Sequence, residues 1–172
     1  MKYVKLFAVF ALCLAALCGV SEAAESPAAD FEYVAEDGGL TVTGYRGVAT
    51  EVVIPAQIEG LPVRAIGDEA FNDNDSLTSV TIPGSVTVIG EMAFANCGSL
   101  TNVTIGEGVE TIADGAFTYS YSLSLITIPD SVTKIADDAF YFCDSLPERI
   151  RQRIRRINPD AYFIRAETLL GY

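Results

Sequence analysis

The hexapeptide Ile66-Gly67-Asp68-Glu69-Ala70-Phe71 returns as Ile89 to Phe94, Ile112 to Phe117 and Ile135 to Phe140, at an interval of 23 residues each time. A fixed period of this length commits a chain to stacked units: one such unit cannot bury its own apolar face and must share it with a neighbour. The phase extends beyond the hexapeptide, to Leu77, Leu100, Leu123 and Leu146, to Val80, Val103 and Ile126, to Ile82, Ile105 and Ile128, and to Val86, Val109 and Val132. Each unit therefore holds about seven apolar or small positions at fixed places.

One unit, Cys97 to Phe117, reads Leu100-x-x-Val103-x-Ile105, then Val109-x-x-Ile112, then Ala116-Phe117. The Leu-x-x-Val-x-Ile run alternates and is rich in β-branched residues, which predicts a strand. Copies offset by 23 residues should align in register as a parallel sheet. Pro83 and Pro129 follow that strand and suit its end, because proline cannot go on donating to a ladder. Gly90 to Asn96 and its copies begin with an acid at positions 68, 91, 114 and 137, followed by Ala-Phe. This pattern predicts a helical turn opened by a carboxylate at its positive end. The four phenylalanines of the repeat should stack through the interior, about 5 Å per coil.

The ends differ from the middle. Phe31-Glu-Tyr-Val, a Glu36-Asp37-Gly38-Gly39 corner and Leu40 to Tyr45 predict a hairpin that caps the first coil, after a short flexible lead-in from Glu25 to Asp30. The link from Ile54 to Ile66 is five residues longer than that from Ile82 to Ile89, so a surface loop around Gln57 to Pro62 should bulge from the first coil. Beyond Leu146, Ile150, Ile154 and Ile157 mark one face of a helix with arginines elsewhere and Pro147 at its start. Asn158-Pro159 should end this cap, and Ala161 to Ile164 return as a strand or cover. The expected organisation is a signal peptide at 1–23, a lead-in and N-terminal β cap at 24–53, about four repeats at 54–146 and a helical cap with tail at 147–172. The fold class is β-rich α/β.

The consensus Leu-x-x-Val-x-Ile-Pro-x-x-Val-x-x-Ile-Gly-x-x-Ala-Phe-x-x-Cys-x-x-Leu resembles the BspA-like, treponemal type of leucine-rich repeat, over about residues 50 to 146. Thr50-Glu51-Val52-Val53-Ile54-Pro55 and Gly60-Leu61-Pro62-Val63 resemble that family's opening coil. The resemblance implies a leucine-rich-repeat solenoid, secretion or surface exposure, no catalysis, and adhesion to host matrix proteins or to other cells. The family's recurrent cysteine is kept at Cys97 and Cys143 and replaced by Asn74 and Ser120. Two coils separate the cysteines, roughly 9 to 10 Å at parallel-strand spacing and beyond the reach of a disulfide, so two unpaired, buried thiols are expected.

Charge and composition narrow the function classes. A net charge of −12 argues against nucleic acid and anionic membranes as partners and favours a counter-charged one. Histidine is absent, which removes Ser-His-Asp and Cys-His chemistry, and no CxxC spacing offers a metal-thiolate site, so no cofactor is expected. Lys2 and Lys5, the uncharged run from Leu6 to Val20 and Ser21-Glu22-Ala23 have the grammar of a secretory signal cut after Ala23. The 15-residue run is shorter than the roughly 18 residues of a spanning helix, so no spanning segment is expected after cleavage. Cys13 and Cys18 raise acylation as an alternative, but Leu17 stands where lipoprotein signals carry Gly, Ala or Ser before the cysteine.

Side chains between the strand's core positions should face outward, Ser79, Asn102 and Leu125 in one column and Thr81, Thr104 and Thr127 in another. Small hydroxyl and amide groups on a rigid extended surface suit a broad protein contact, and they equally suit a solvated sheet with cross-strand threonine pairs. The acidic column Asp68, Glu91, Asp114 and Asp137 raises a calcium reading, against which stands its role in opening each turn. A carboxylate-dependent glycan hydrolase needs a cleft that nothing in the pattern supplies. Asn74-Asp75-Ser76 and Asn102-Val103-Thr104 match a glycosylation sequon. Residues 24 to 146 carry three basic and nineteen acidic side chains, whereas 147 to 172 carry six and three. That polarity fits a basic cap on its own acidic stack, or head-to-tail homo-oligomers of a structural envelope protein.

Overall fold

In a computed structural model, which describes residues 24–163, each coil of the stack contributes to two parallel ladders rather than one. The signal-like segment with Cys13, Cys18 and the cut after Ala23, and the stretch from Ile164 onward, lie outside the described residues. The chain opens with β1 (Phe31–Glu36) and β2 (Gly39–Tyr45), then β3 (Glu51–Val53), β4 (Gln57–Ile58) and β5 (Leu61–Ile66). The next three coils supply β6 (Ser79–Ile82) and β7 (Val88–Ile89), β8 (Asn102–Ile105) and β9 (Thr111–Ile112), β10 (Leu125–Thr127) and β11 (Lys134–Ile135). The helix α1 (Glu148–Ile157) closes the stack.

The first sheet has the order β3-β6-β8-β10 and the expected register, Ser79 opposite Asn102 and Asn102 opposite Leu125. The second, β1-β2-β5-β7-β9-β11, pairs Ile66 with Ile89, Ile89 with Ile112 and Ile112 with Ile135. Its repeat strands β7, β9 and β11 are two residues long, so they have no alternation by which to be read. Val80, Val103 and Ile126 from one sheet and Ile66, Ile89, Ile112 and Ile135 from the other meet in a single buried core.

The Ala-Phe segment is an arch of tight turns, not the helical turn expected from its acid and its alanine. Two residues in each of the first three arches sit in the left-handed region, Glu69 and Asp73, Met92 and Asn96, Gly115 and Tyr119, and Phe142 does so in the fourth, which no right-handed helix accommodates. Alternate amides instead donate to the following coil: Glu69, Phe71 and Asp73 to the carbonyls of Glu91, Ala93 and Ala95 at 2.8 to 3.0 Å. Met92, Phe94 and Asn96 repeat the pattern onto Asp114, Ala116 and Thr118. Inside this arch the rings of Phe71, Phe94, Phe117 and Phe140 stack at 4.9 to 5.3 Å between centroids, as the coil spacing predicts. Tyr45 and Phe31 of the hairpin continue the column toward the N-terminus.

The N-terminal hairpin is present, with Asp37 and Gly38 both at positive φ in its two-residue turn. It joins the second sheet edge-on, β2 running parallel to β5 with Val42 opposite Ile66. The lead-in, expected to be flexible, is tied to β3: Ser26 N–H donates to Val53 O at 2.8 Å and Val53 N–H to Ser26 Oγ at 3.0 Å. The five-residue insertion is not an irregular bulge. β4 and the start of β5 form a second tight hairpin around Glu59 and Gly60, both at positive φ, and Ile58 is buried in the core.

At the other end α1 buries Ile150 and Ile154 against the last coil. The arginines were expected away from that face, yet Arg151 is buried. Its guanidinium donates to the carbonyls of Leu146 at 3.0 Å, Asp144 at 3.1 Å and Cys143 at 3.3 Å. The cap also keeps the period. The carbonyls of Ile66, Ile89 and Ile112 accept from the amides of Gly90, Ala113 and Ala136, 24 residues on; the matching donor for Ile135 would be Pro159, which has no N–H. Asn158 Nδ2 takes its place, donating to Ile135 O at 2.9 Å.

Candidate functional site

The outward positions of the first sheet form the candidate surface, because strand alternation turns Val80, Val103 and Ile126 inward and leaves their neighbours outside. The register places Ser79, Asn102 and Leu125 in one row across three strands and Thr81, Thr104 and Thr127 in the next. Thr104, Leu125 and Thr127 are exposed, Leu125 at 51%, while Ser79, Thr81 and Asn102 are half-buried. Asn102 Nδ2 donates to Ser79 Oγ at 3.5 Å. Beside this face Thr101 Oγ1 donates to Thr78 O and Thr78 Oγ1 to Thr50 O, both at 3.0 Å, which pins successive coils together.

Two residues of this face were not among those singled out from the sequence. Glu51 and Val53 of β3 stand opposite Ser79 and Thr81 and extend the two rows by one strand. The five-residue insertion moves them out of the 23-residue phase, to an offset of 28. The signal available was the extended run Thr50 to Pro55 itself.

The acidic column does not open turns within its own coil. Asp68 Oδ1 accepts the Glu91 amide of the following coil at 2.8 Å, and Asp137 Oδ1 accepts from Asn158 Nδ2 of the cap at 2.7 Å. Among the described residues no three acidic or cysteine side chains converge to hold a metal ion. Cys97 and Cys143 are buried and unpaired, as the coil spacing predicts. Each thiol sits over the preceding coil's phenylalanine carbonyl, Cys97 Sγ 3.2 Å from Phe71 O and Cys143 Sγ 3.0 Å from Phe117 O. Ser120 makes the same contact to Phe94 O at 2.9 Å, so the position serves to satisfy a buried carbonyl between coils. Burial pushes the Cys97 thiol up to about 12 and the Cys143 thiol also up, which makes both poor nucleophiles.

A second surface carries aromatic side chains on the arches of the last two coils. Tyr119 stacks on Phe142 at 5.0 Å, Tyr141 meets Tyr119 edge-on at 6.0 Å, and Tyr162, after the helix, meets Tyr141 edge-on at 5.5 Å. Tyr121 adds a tilted ring 6.1 Å from Tyr119. The stacking of coils assembles these rings from separate stretches of chain, of which Tyr119 with Tyr121 and Tyr141 with Phe142 are neighbours in sequence.

Two parallel ladders, a laddered arch and a column of phenylalanines define a leucine-rich-repeat solenoid. Residues 50–165 match the family model of the BspA type leucine rich repeat region in six copies, a span that includes the cap helix with its retained period. The chain belongs to this family. Among solved structures it is similar to a leucine-rich repeat protein from Bacteroides capillosus, 36% identical over 65% of this chain and 87% of that one, with a TM-score of 0.60. A leucine-rich repeat protein from Bacteroides ovatus is 29% identical, covering 68% of this chain and 38% of that one, with a TM-score of 0.55. No curated protein sequence matches the chain. Among the described residues no helix is long and apolar enough to cross a membrane.

Proposed function

We propose that this protein is a secreted or surface-exposed binding module that acts without catalysis and adheres to host matrix proteins or to other cells through the outer face of the first sheet. The observation that carries this reading is the pair of in-register rows formed by Ser79, Asn102 and Leu125 and by Thr81, Thr104 and Thr127 on a rigid, hydrogen-bonded sheet. Such a surface gives many shallow contacts whose geometry is fixed before binding, so little side-chain order is lost on association. The secretory grammar of the N-terminal segment and the family membership support the location.

Surface plasmon resonance over a panel of immobilised extracellular matrix proteins tests this. The native chain should bind at least one of them and the heat-denatured chain none. Thr104→Lys with Thr127→Lys should weaken that binding by about tenfold or more, since two bulky charges would be placed among the hydroxyl groups and would repel a counter-charged partner. Unchanged binding by this variant, or no binding across the panel, would count against the reading.

A further inference from the structure

We propose that the tyrosine cluster on the last two arches is a second interaction surface, one that takes an arginine or lysine side chain from a basic segment of a partner protein. It lies on the arches, apart from the first sheet, and does not depend on the function argued above. The rings are exposed, Tyr119 at 37%, Tyr121 at 46% and Tyr162 at 45%, and they adjoin one another through Tyr141 instead of standing singly.

The backbone of the arch does not itself favour rings at this position. At the register of Tyr119 the two earlier coils carry Asp73 and Asn96, with φ of 58° and 56°, and asparagine and aspartate are the non-glycine residues that best tolerate this left-handed region. The later coils place Tyr119 and Phe142 in the same conformation, at 59° and 55°, where a bulky ring is strained. Tyr121, at an ordinary φ, stands where the earlier coils carry Asp75 and Gly98. At Tyr119 and Phe142 the backbone favours small polar residues, and this chain carries aromatics instead.

Two further features choose the occupant. The first is charge: the coils that carry Tyr119, Tyr121 and Tyr141 are acidic, with Lys134 as the one basic residue against twelve acidic ones between Ala65 and Leu146. Arg151, Arg153 and Arg155 of the cap that precedes Tyr162 are engaged with Phe163, the last coil's carbonyls, Asp130 and Glu148. Asp138, Asp137 and Asp114 lie near enough to Tyr162 to add to the effect of its partial burial in raising the hydroxyl's pKa. The second is ring geometry. Tyr119 is inclined 60° to Tyr121 and 72° to Tyr141, and Tyr141 is inclined 76° to Tyr162. A sugar ring stacks best on a flat, coplanar platform, which these angles do not provide. A compact cation is attracted to the face of any ring, and nearby carboxylates add to that attraction.

The test is fluorescence anisotropy of labelled oligoarginine and oligoglutamate peptides titrated with the full chain at physiological ionic strength. The chain should bind oligoarginine and not oligoglutamate. Tyr119→Asn with Tyr121→Gly, which installs the residues found at those positions in the second coil, should weaken oligoarginine binding by about tenfold while the melting temperature is kept or raised. Tyr121→Leu, which retains apolar area but loses the ring face, should weaken it as well. Oligoarginine binding that is unchanged in these variants would overturn the proposal. So would equal affinity for oligoglutamate, or binding of a neutral oligosaccharide that the same variants abolish. Variants that dissociate a dimer of the chain without altering peptide affinity would assign the cluster to a second copy and equally overturn it.

Discussion

Phe94 and Phe117 show how far a single residue type constrains this chain. Each ring is fully buried and stacked on both sides by the rings of adjacent coils, so truncation leaves a cavity that the rigid ladders around it cannot close. Phe94→Ala and Phe117→Ala should each cost about 3 to 5 kcal/mol in urea unfolding, and near-zero loss for both would contradict the stacked core. The thiols make a second residue-scale prediction. Cys97 ionises near the ordinary 9.0 in the unfolded chain but not until about 12 in the folded one, so its contribution to stability is intact below pH 9 and is lost as the pH rises toward 12. Stability measured across that window should fall more steeply in the native sequence than in Cys97→Ser with Cys143→Ser. The serine variant should fold because Ser120 already makes the same contact. Native Cys97 should also resist alkylation at pH 8 and react once the chain is unfolded.

Among the elements, the cap decides where the stack ends. Along the sheets the carbonyls of each coil are closed by amides of the next, and the last coil is followed by the cap instead. Side chains substitute: Arg151 satisfies three carbonyls, and Asn158 stands in for the missing N–H of Pro159. Arg151→Leu should therefore cost about 2 to 3 kcal/mol, because the carbonyls of Leu146, Asp144 and Cys143 lose a charged donor at the closed end of the stack, whereas Asn158→Ala, at a half-buried site that water can reach, should cost about 1 kcal/mol. Thermal or urea unfolding of both variants checks the order. A smaller loss for Arg151→Leu than for Asn158→Ala would show that the guanidinium fills space rather than closing the ladder.

At the scale of the molecule, the separation of charge between acidic coils and basic cap invites head-to-tail assembly, but several of the cap's arginines are held by partners within the chain. Arg153 pairs with Asp130 at 2.7 Å, Arg155 with Glu148 at 3.4 Å, and Arg151 faces the last coil's carbonyls. Light scattering across ionic strength should therefore find a species whose mass does not change with salt. An oligomer that dissociates as salt is added would instead favour a self-assembling envelope protein.

The sequence by itself determined the period, the apolar register and the cap. Ile followed by Gly or Ala, then x-x-Ala-Phe, at every 23 residues leaves only stacking as a way to bury Phe71 to Phe140, and the Asp37-Gly38 corner and the Ile150, Ile154, Ile157 face mark the two ends. It also fixed which strand residues face out, from Ser79 to Thr127, because alternation in the first sheet is long enough to read. Only the tertiary structure decided the rest. The second sheet has two-residue strands, and the arch conformation rests on hydrogen bonds to the next coil, so neither is encoded in the propensities of its own segment. The tyrosine cluster joins residues from Tyr119 to Tyr162, and its shape depends on coil spacing and on where the cap returns the chain. Local pattern specifies what repeats, while contacts between coils, distant in sequence and close in space, specify the surfaces that differ from the repeat.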